Sequence, residues 1–259
     1  MNSLAVRSTG FSLRANNLRK AYAGRVAVAG VSFEVFPGET LGFLGPNGAG
    51  KTTTLLIVAG ALRADGGTVE IAPQHFATSP QKRANPRALI GLAPQACALY
   101  ADLDAEENVR FFGRLYGLSG THLDERVEAV LDLAALSSRR RDRVRTFSGG
   151  MQRRLNIACA LVHAPKVLLL DEPTAGVDPQ SRNHIFDCLA ALKKSGLTLV
   201  YCTHHTAEAE ELCDRVAIFD HGRILAQDTV AALIARHAPT EISKLEAVLL
   251  NLTGTSLRD

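Results

Sequence analysis

The chain has 259 residues, 46% of them hydrophobic, which is enough for one large domain or two small ones around a substantial core. Its formal net charge of +3 is too small to mark a nucleic-acid-binding protein, and the five arginines of RRRDRVR (Arg139 to Arg145) read as a solvated face. Five cysteines without a CxxC pair suggest neither a disulfide framework nor a zinc knuckle, and a reducing cytosol is the simplest setting.

MNSLAVRSTGFSLRANNL has no apolar signal-peptide core, and no uninterrupted apolar run approaches the roughly 18 residues of a spanning helix. If the protein works at a membrane, another chain must supply the spanning part. From Asn16 to Glu39 the alternation in AVAGVSFEVFPGET predicts antiparallel strands that end in a Pro-Gly turn. LGFLG then predicts a buried strand and TTTLLIVAGAL a helix. The stretch between them, GPNGAGKTT, fits the pattern Gly, four residues, Gly-Lys-Ser/Thr that builds a phosphate cradle. Gly45, Gly48 and Gly50 let the backbone turn tightly and aim N–H groups at phosphate oxygens, where a starting helix favours an anion. Lys51 would reach the β- and γ-phosphates, and Thr52 supplies a hydroxyl of the kind that ligates Mg²⁺. The loop Gly45, Pro46, Asn47, Gly48, Ala49, Gly50, Lys51, Thr52 and Thr53 is therefore assigned to a nucleotide. A Gly-rich turn that merely caps a helix is the alternative, and the strand before it and helix after it disfavour that reading.

Between Ala98 and Ala164 the pattern becomes helical. EENVRFFGRLYGL places Val109, Phe112, Leu115 and Tyr116 on one face, and DERVEAVLDLAAL does the same with Val127, Val130, Leu131 and Leu133. FSGGMQRRL sets Ser148, Gly149 and Gly150 before a basic helix, where they could bind a second anion or simply cap the helix. KVLLLDEPT is an apolar strand ending in two carboxylates. Alone, such a pair more often caps a helix; beside a phosphate loop, Asp171 would hold the Mg²⁺ shell and Glu172 would orient or polarise the attacking water. LTLVYCT and RVAIFD return to strand patterns with helical stretches between, as in a parallel sheet with crossover helices. After Ala238, residues Ile242, Leu245, Val248, Leu249 and Leu252 have helical spacing, in a tail that packs on the body or docks a partner.

The order of phosphate loop, FSGGM and acid strand resembles the ATP-binding subunit of an ABC transporter, whose signature loop, usually LSGGQ, sits in the middle slot. The resemblance covers nearly the whole chain. It implies an α/β fold with a P-loop NTPase core and parallel sheet, an antiparallel β subdomain and an α-helical insert. The ATPase domain would span 1–238, with the insert at about 97–165 and a C-terminal helical tail at 239–259. The resemblance also gives roles to residues that chemistry alone leaves undecided. Tyr22 in KAYAGR matches the aromatic that stacks on adenine, although a strand aromatic in the core would read the same way. Gln95 in GLAPQ matches the glutamine that touches Mg²⁺ and water and reports nucleotide state to the insert. Asp178 in AGVDPQSR matches the aspartate of the loop after the acid strand. His204 in YCTHH matches the switch histidine at the γ-phosphate, where a strand-end histidine otherwise reads as a structural hydrogen-bonder. His205 receives no role.

Phe147 and Met151 replace the outer letters of LSGGQ, while Ser148, Gly149 and Gly150 are retained. MQRRL and the closing LEAVLLNLTGTSLRD resemble subunits that serve ABC-2-type exporters, whereas Ile71 to Arg87 carries no motif and reads as a variable surface loop. What the resemblance implies is an ATP- and Mg²⁺-dependent ATPase with Glu172, His204, Lys51 and Gln95 in its chemistry. Two copies would dimerise head-to-tail, and a separate membrane permease would hold them at the cytoplasmic face of the cell membrane. The cargo would be a drug-like compound, a lipid or a polysaccharide. A soluble assembly-type ABC ATPase is the alternative; a regulatory module without catalysis fits poorly with intact Asp171, Glu172 and His204.

Overall fold

Alternating and continuous apolar runs sort into two sheets of different pairing. A computed structural model describes residues 10–72, 86–238 and 244–254. β1 (Leu13–Tyr22), β2 (Arg25–Val35) and β4 (Gly66–Ile71) form an antiparallel sheet in the order β2-β1-β4. The larger sheet contains β3 (Thr40–Leu44), β5 (Ile90–Ala93), β6 (Val167–Asp171), β7 (Thr198–Thr203), β8 (Arg215–Asp220) and β9 (Arg223–Thr229). Its order is β5-β6-β7-β3-β8-β9, parallel through β8, with β9 returning antiparallel along β8. Strands β3, β6 and β7 are buried at every position, as expected of parallel strands covered on both faces. On one face the antiparallel sheet and α1 (Lys51–Val58) close an aromatic core, in which Phe43 meets Phe33 and Phe219 at centroid distances of 4.9 and 4.7 Å.

Helices cover the other face. α2 (Ala105–Leu115), α3 (Gly120–Leu133) and α4 (Gly149–Leu161) pack together through Val109, Val127, Val130, Leu131 and Leu155. α5 (Pro179–Lys194) and α6 (Thr206–Leu212) lie between strands β6, β7 and β8 in sequence; α7 (Val230–His237) and α8 (Leu245–Thr253) follow β9. α2 starts in a capping box, with Glu107 N–H donating to Asp104 and Asp104 N–H donating to Glu107. Its last turn departs from the expected face. Leu115 is 66% exposed and Tyr116 is also exposed, and the close approach falls at Gly113 instead, where an added Cβ would lie 2.5 Å from Leu123. Tyr116 stacks instead on the His163 ring, with centroids 3.6 Å apart.

The arginine run is not simply solvated. Arg140 lies 2.7 Å and Arg141 3.5 Å from the buried carboxylate of Glu106, which Arg110 also reaches at 2.8 Å. Burial would raise the Glu106 pKa, but hydrogen bonds from Arg110 and Arg140 outweigh it and hold the carboxyl below its ordinary value. At the other end of the chain, Leu245, Val248 and Leu249 are buried, and the first N–H of α8 donates to Glu210 of α6 at 2.6 Å. Ile242, most of the Ile71 to Arg87 stretch (73–85) and the final residues 255–259 lie outside the described residues. Among the described residues no helix is long and apolar enough to cross a membrane.

Candidate nucleotide site

β3 ends at Leu44, and the chain turns at once into the phosphate loop and α1. Gly45 sits against β8, and an added Cβ would lie 2.2 Å from the Phe219 carbonyl oxygen. Gly50 adopts φ +100°, and a Cβ there would lie 2.5 Å from the Ala27 carbonyl. Both contacts are to backbone that cannot swing away. Gly45→Ala is therefore expected to cost about 1–3 kcal/mol through overpacking, read as a lower urea midpoint at unchanged slope.

Lys51 is buried, and its ammonium donates to the carbonyls of Gly45 and Pro46 at 2.6 and 3.0 Å. Burial lowers its pKa, while Cys202, Glu172 and Asp171 act in the opposite direction. The lysine is thus already desolvated and held across the loop. The Thr52 hydroxyl donates to Asp171 Oδ1 at 3.1 Å, bringing the start of α1 and the end of β6 together. Burial, first among its causes, raises Asp171 above the usual carboxylate range, and the Glu172 charge adds to this. An exposed hydroxyl beside a buried carboxylate gives two hard oxygen donors suited to Mg²⁺, and a cation there would favour the ionised acid. The residues fit the ion.

Glu172 follows directly, at φ +49° and buried, with its N–H donating to the Cys202 carbonyl at 3.0 Å. A non-glycine residue in the left-handed region is strained, and such strain persists only where neighbours over-determine it. His204, at the end of β7, places Nδ1 2.8 Å from Glu172 Oε1 and 2.7 Å from Oε2. Glu172 also lines a cavity of about 660 Å³ together with Asn47, Gly48, Ala49, Gly50, Lys51, Thr52 and Thr53. Tyr22, 47% exposed, stands in the wall of this cavity rather than in the core, and Gln95 lines it from the end of β5. The Gln95 carbonyl accepts from Arg153, whose guanidinium also reaches the Ala175 carbonyl at 3.4 Å.

A second group stands apart. Ser148 caps α4 by accepting the Met151 N–H at 3.2 Å, and Asp178 caps α5 by accepting the Ser181 N–H at 2.9 Å. The Ser181 hydrogen bonds hold the Asp178 carboxyl below its ordinary value. Gly150 lies against Ser181, where a Cβ would be 2.2 Å from Oγ, so α4 and α5 start side by side. Ser148, Gly149, Gly150 and Asp178 are not among the cavity walls. Arg25 and His221, which sequence reasoning did not single out, are. His221 arrives because the β8–β9 turn docks on the phosphate loop, Gly222 N–H donating to the Ala49 carbonyl at 2.9 Å. No local pattern announces that contact; the only hint is the turn signal Asp220-His221-Gly222 after an apolar strand.

A phosphate loop, an acid pair at the adjoining strand and a histidine bonded to the second acid define a P-loop nucleotide hydrolase with a helical insert. Residues 28–175 match the family described as ABC transporter, and the chain belongs to that family. It is 41% identical over 239 residues to the linearmycin resistance ATP-binding protein LnrL of Bacillus subtilis, covering 92% of this chain and 76% of the relative. It is 42% identical over 222 residues to the Nod factor export ATP-binding protein I of Cupriavidus metallidurans, covering 86% and 72%. Among solved structures, an ATP-binding subunit of an ABC transporter superposes with a TM-score of 0.78 at 28% identity, covering 93% of this chain and 99% of that one. A dimeric ATP-binding cassette, MJ0796, bound to ADP and Pi, superposes with a TM-score of 0.74 at 26% identity, covering 84% and 98%. The chain is an ABC ATPase, and the expected α/β cassette fold is the observed one.

Proposed function

We propose that this chain is the motor subunit of an ABC-2-type exporter, which closes head-to-tail on a second copy around two ATP molecules and drives a separate permease at the cytoplasmic face of the membrane. The observation that carries the hydrolytic part is the Glu172–His204 contact beside the phosphate-loop cavity. The relatives named above have resistance or export in their names, which favours transport over an assembly ATPase. A drug-like compound, a lipid or a polysaccharide is the cargo class.

In this reading Tyr22 stacks on the adenine, and the loop N–H groups and Lys51 hold the phosphates. Thr52, Asp171 and Gln95 would hold Mg²⁺, which when bound neutralises charge on the β- and γ-phosphates. Glu172 takes a proton from water as the water oxygen bonds to the γ-phosphorus and the bond to the β–γ bridging oxygen breaks, with ADP leaving. His204 would donate from Nε2 to a γ-phosphate oxygen in the form that carries protons on both ring nitrogens, with Nδ1 donating to Glu172. Ser148 to Gly150, next to Asp178 and away from their own cavity, complete the site of the other copy. The test is affinity capture from solubilised native membranes with Mg-ATP. Recovery of a polytopic permease of the ABC-2 type is the expected result; recovery from the soluble fraction with a cytosolic partner alone would overturn the transport reading.

A further inference from the structure

One buried carboxylate has no part in the chemistry above. Glu208 of α6 is 2% exposed, yet four polar side chains converge on it. Thr174 donates its hydroxyl to Oε1 at 2.8 Å, and Tyr201 and Thr203 donate theirs to Oε2 at 2.9 Å each. Arg182, one turn into α5, places Nε 3.8 Å from Oε1. We propose that Glu208 is a positioning residue for hydrolysis, which locks the chain after Glu172 to the chain before His204 and so sets the geometry of that pair.

The donors come from the segments that carry the pair. Thr174 lies two residues beyond Glu172, whose left-handed backbone requires an anchor, and the Ala175 N–H closes a turn on the Glu172 carbonyl at 3.1 Å. Thr203 immediately precedes His204. Its hydroxyl oxygen both donates to Glu208 and accepts the His205 N–H at 3.0 Å. An ionised carboxylate only accepts, so it forces the Thr203 proton toward itself and leaves the lone pair for His205. One acid thereby fixes the hydroxyl direction that shapes the turn around the histidine. Arg182 extends the same network to the helix that begins at Asp178. The Tyr201 hydroxyl stays a donor, since burial and then the Glu208 charge push its pKa well above the ordinary value. β6 and β7 pair only as far as Asp171 with Cys202, and Glu208 takes over where that ladder ends.

This inference rests on the assignment of Glu172 and His204 to hydrolysis. Single-turnover ATP hydrolysis by the full chain separates the rate of the chemical step from nucleotide affinity. Glu208→Gln keeps the size of the side chain but introduces an NH₂ donor into a ring of hydroxyls. It is expected to slow the step by about tenfold or more while ATP affinity stays within about twofold, because the phosphate loop is untouched. Thr203→Val, which removes only one hydroxyl, is expected to shift the same quantity and decides the matter if Glu208→Gln does not fold. Each variant combined with His204→Ala is expected to cost less than about twofold beyond His204→Ala alone, since there is no longer a pair to align. An unchanged rate in the folded variants overturns the proposal, as does a loss that multiplies in full in the double variants or a parallel fall in ATP affinity. If His204→Ala itself hydrolyses ATP normally, the assignment of the pair fails, and Glu208 falls with it for that separate reason.

Discussion

Glu172→Gln is expected to bind ATP as the native chain does, to lose about 10²–10⁴-fold in turnover, and to accumulate as closed dimers in Mg-ATP. The substitution keeps the shape of the side chain and an oxygen that can accept from His204 Nδ1, 2.8 Å away. The left-handed backbone at φ +49° and the Glu172 N–H bond to Cys202 do not depend on the charge. What disappears is the ability to take a proton from water. The carboxylate also sits on the wall of the cavity proposed for the triphosphate, so neutralising it would remove one negative charge facing others. Binding is therefore preserved or tightened while the step that reopens the dimer is blocked. Phosphate release and size-exclusion chromatography in the same buffer read both halves. Undiminished hydrolysis would remove Glu172 from the role of base, whatever the dimer does.

The parts of this site that were legible are those whose chemistry is contiguous. The phosphate loop shows itself because strand, glycines, lysine and hydroxyl follow one another within one supersecondary unit, and β3, Gly45 to Thr53 and α1 occupy the expected order. The predicted helix TTTLLIVAGAL stops sooner, at Val58, with Ala59 as its C-cap and Gly60 at φ +69°. Tyr22, Gln95 and His204 carried no such local signal, and family resemblance alone suggested their roles. The antiparallel edge strand β9 has little signal in sequence because RILAQDT is half-exposed and only weakly alternating. Leu115 and Tyr116 have the periodicity of a buried face, yet helical period cannot say where the neighbouring helix ends. Arg25, His221 and Glu208 matter through contacts between distant segments, such as Thr174 with Glu208 or Gly222 with Ala49. The arginine run looks solvated in sequence because its partner, Glu106, lies on another element and is buried beneath it.

A mixture of Lys51→Ala and Ser148→Arg chains is expected to recover ATP hydrolysis that neither variant shows alone. Lys51→Ala removes a buried ammonium held by two loop carbonyls, and with it the charge that would meet the phosphates. Ser148→Arg leaves the phosphate loop intact but puts a long side chain at the N-cap of α4, a position that is not part of its own cavity. If the second copy completes each site, a mixed dimer places both defects in one site and leaves the other wild type, so a fraction of the native rate returns. If each chain held a complete site of its own, every site in the mixture would carry one defect and nothing would return. Mixing at a fixed total concentration and titrating the ratio distinguishes the cases, because composite sites predict a maximum at equal amounts. That maximum also requires the Ser148→Arg homodimer to bind ATP while failing to hydrolyse it, which a direct nucleotide-binding measurement checks. A rate that stays at the background of the pure variants at every mixing ratio would place Ser148 in its own chain's site and end the head-to-tail reading.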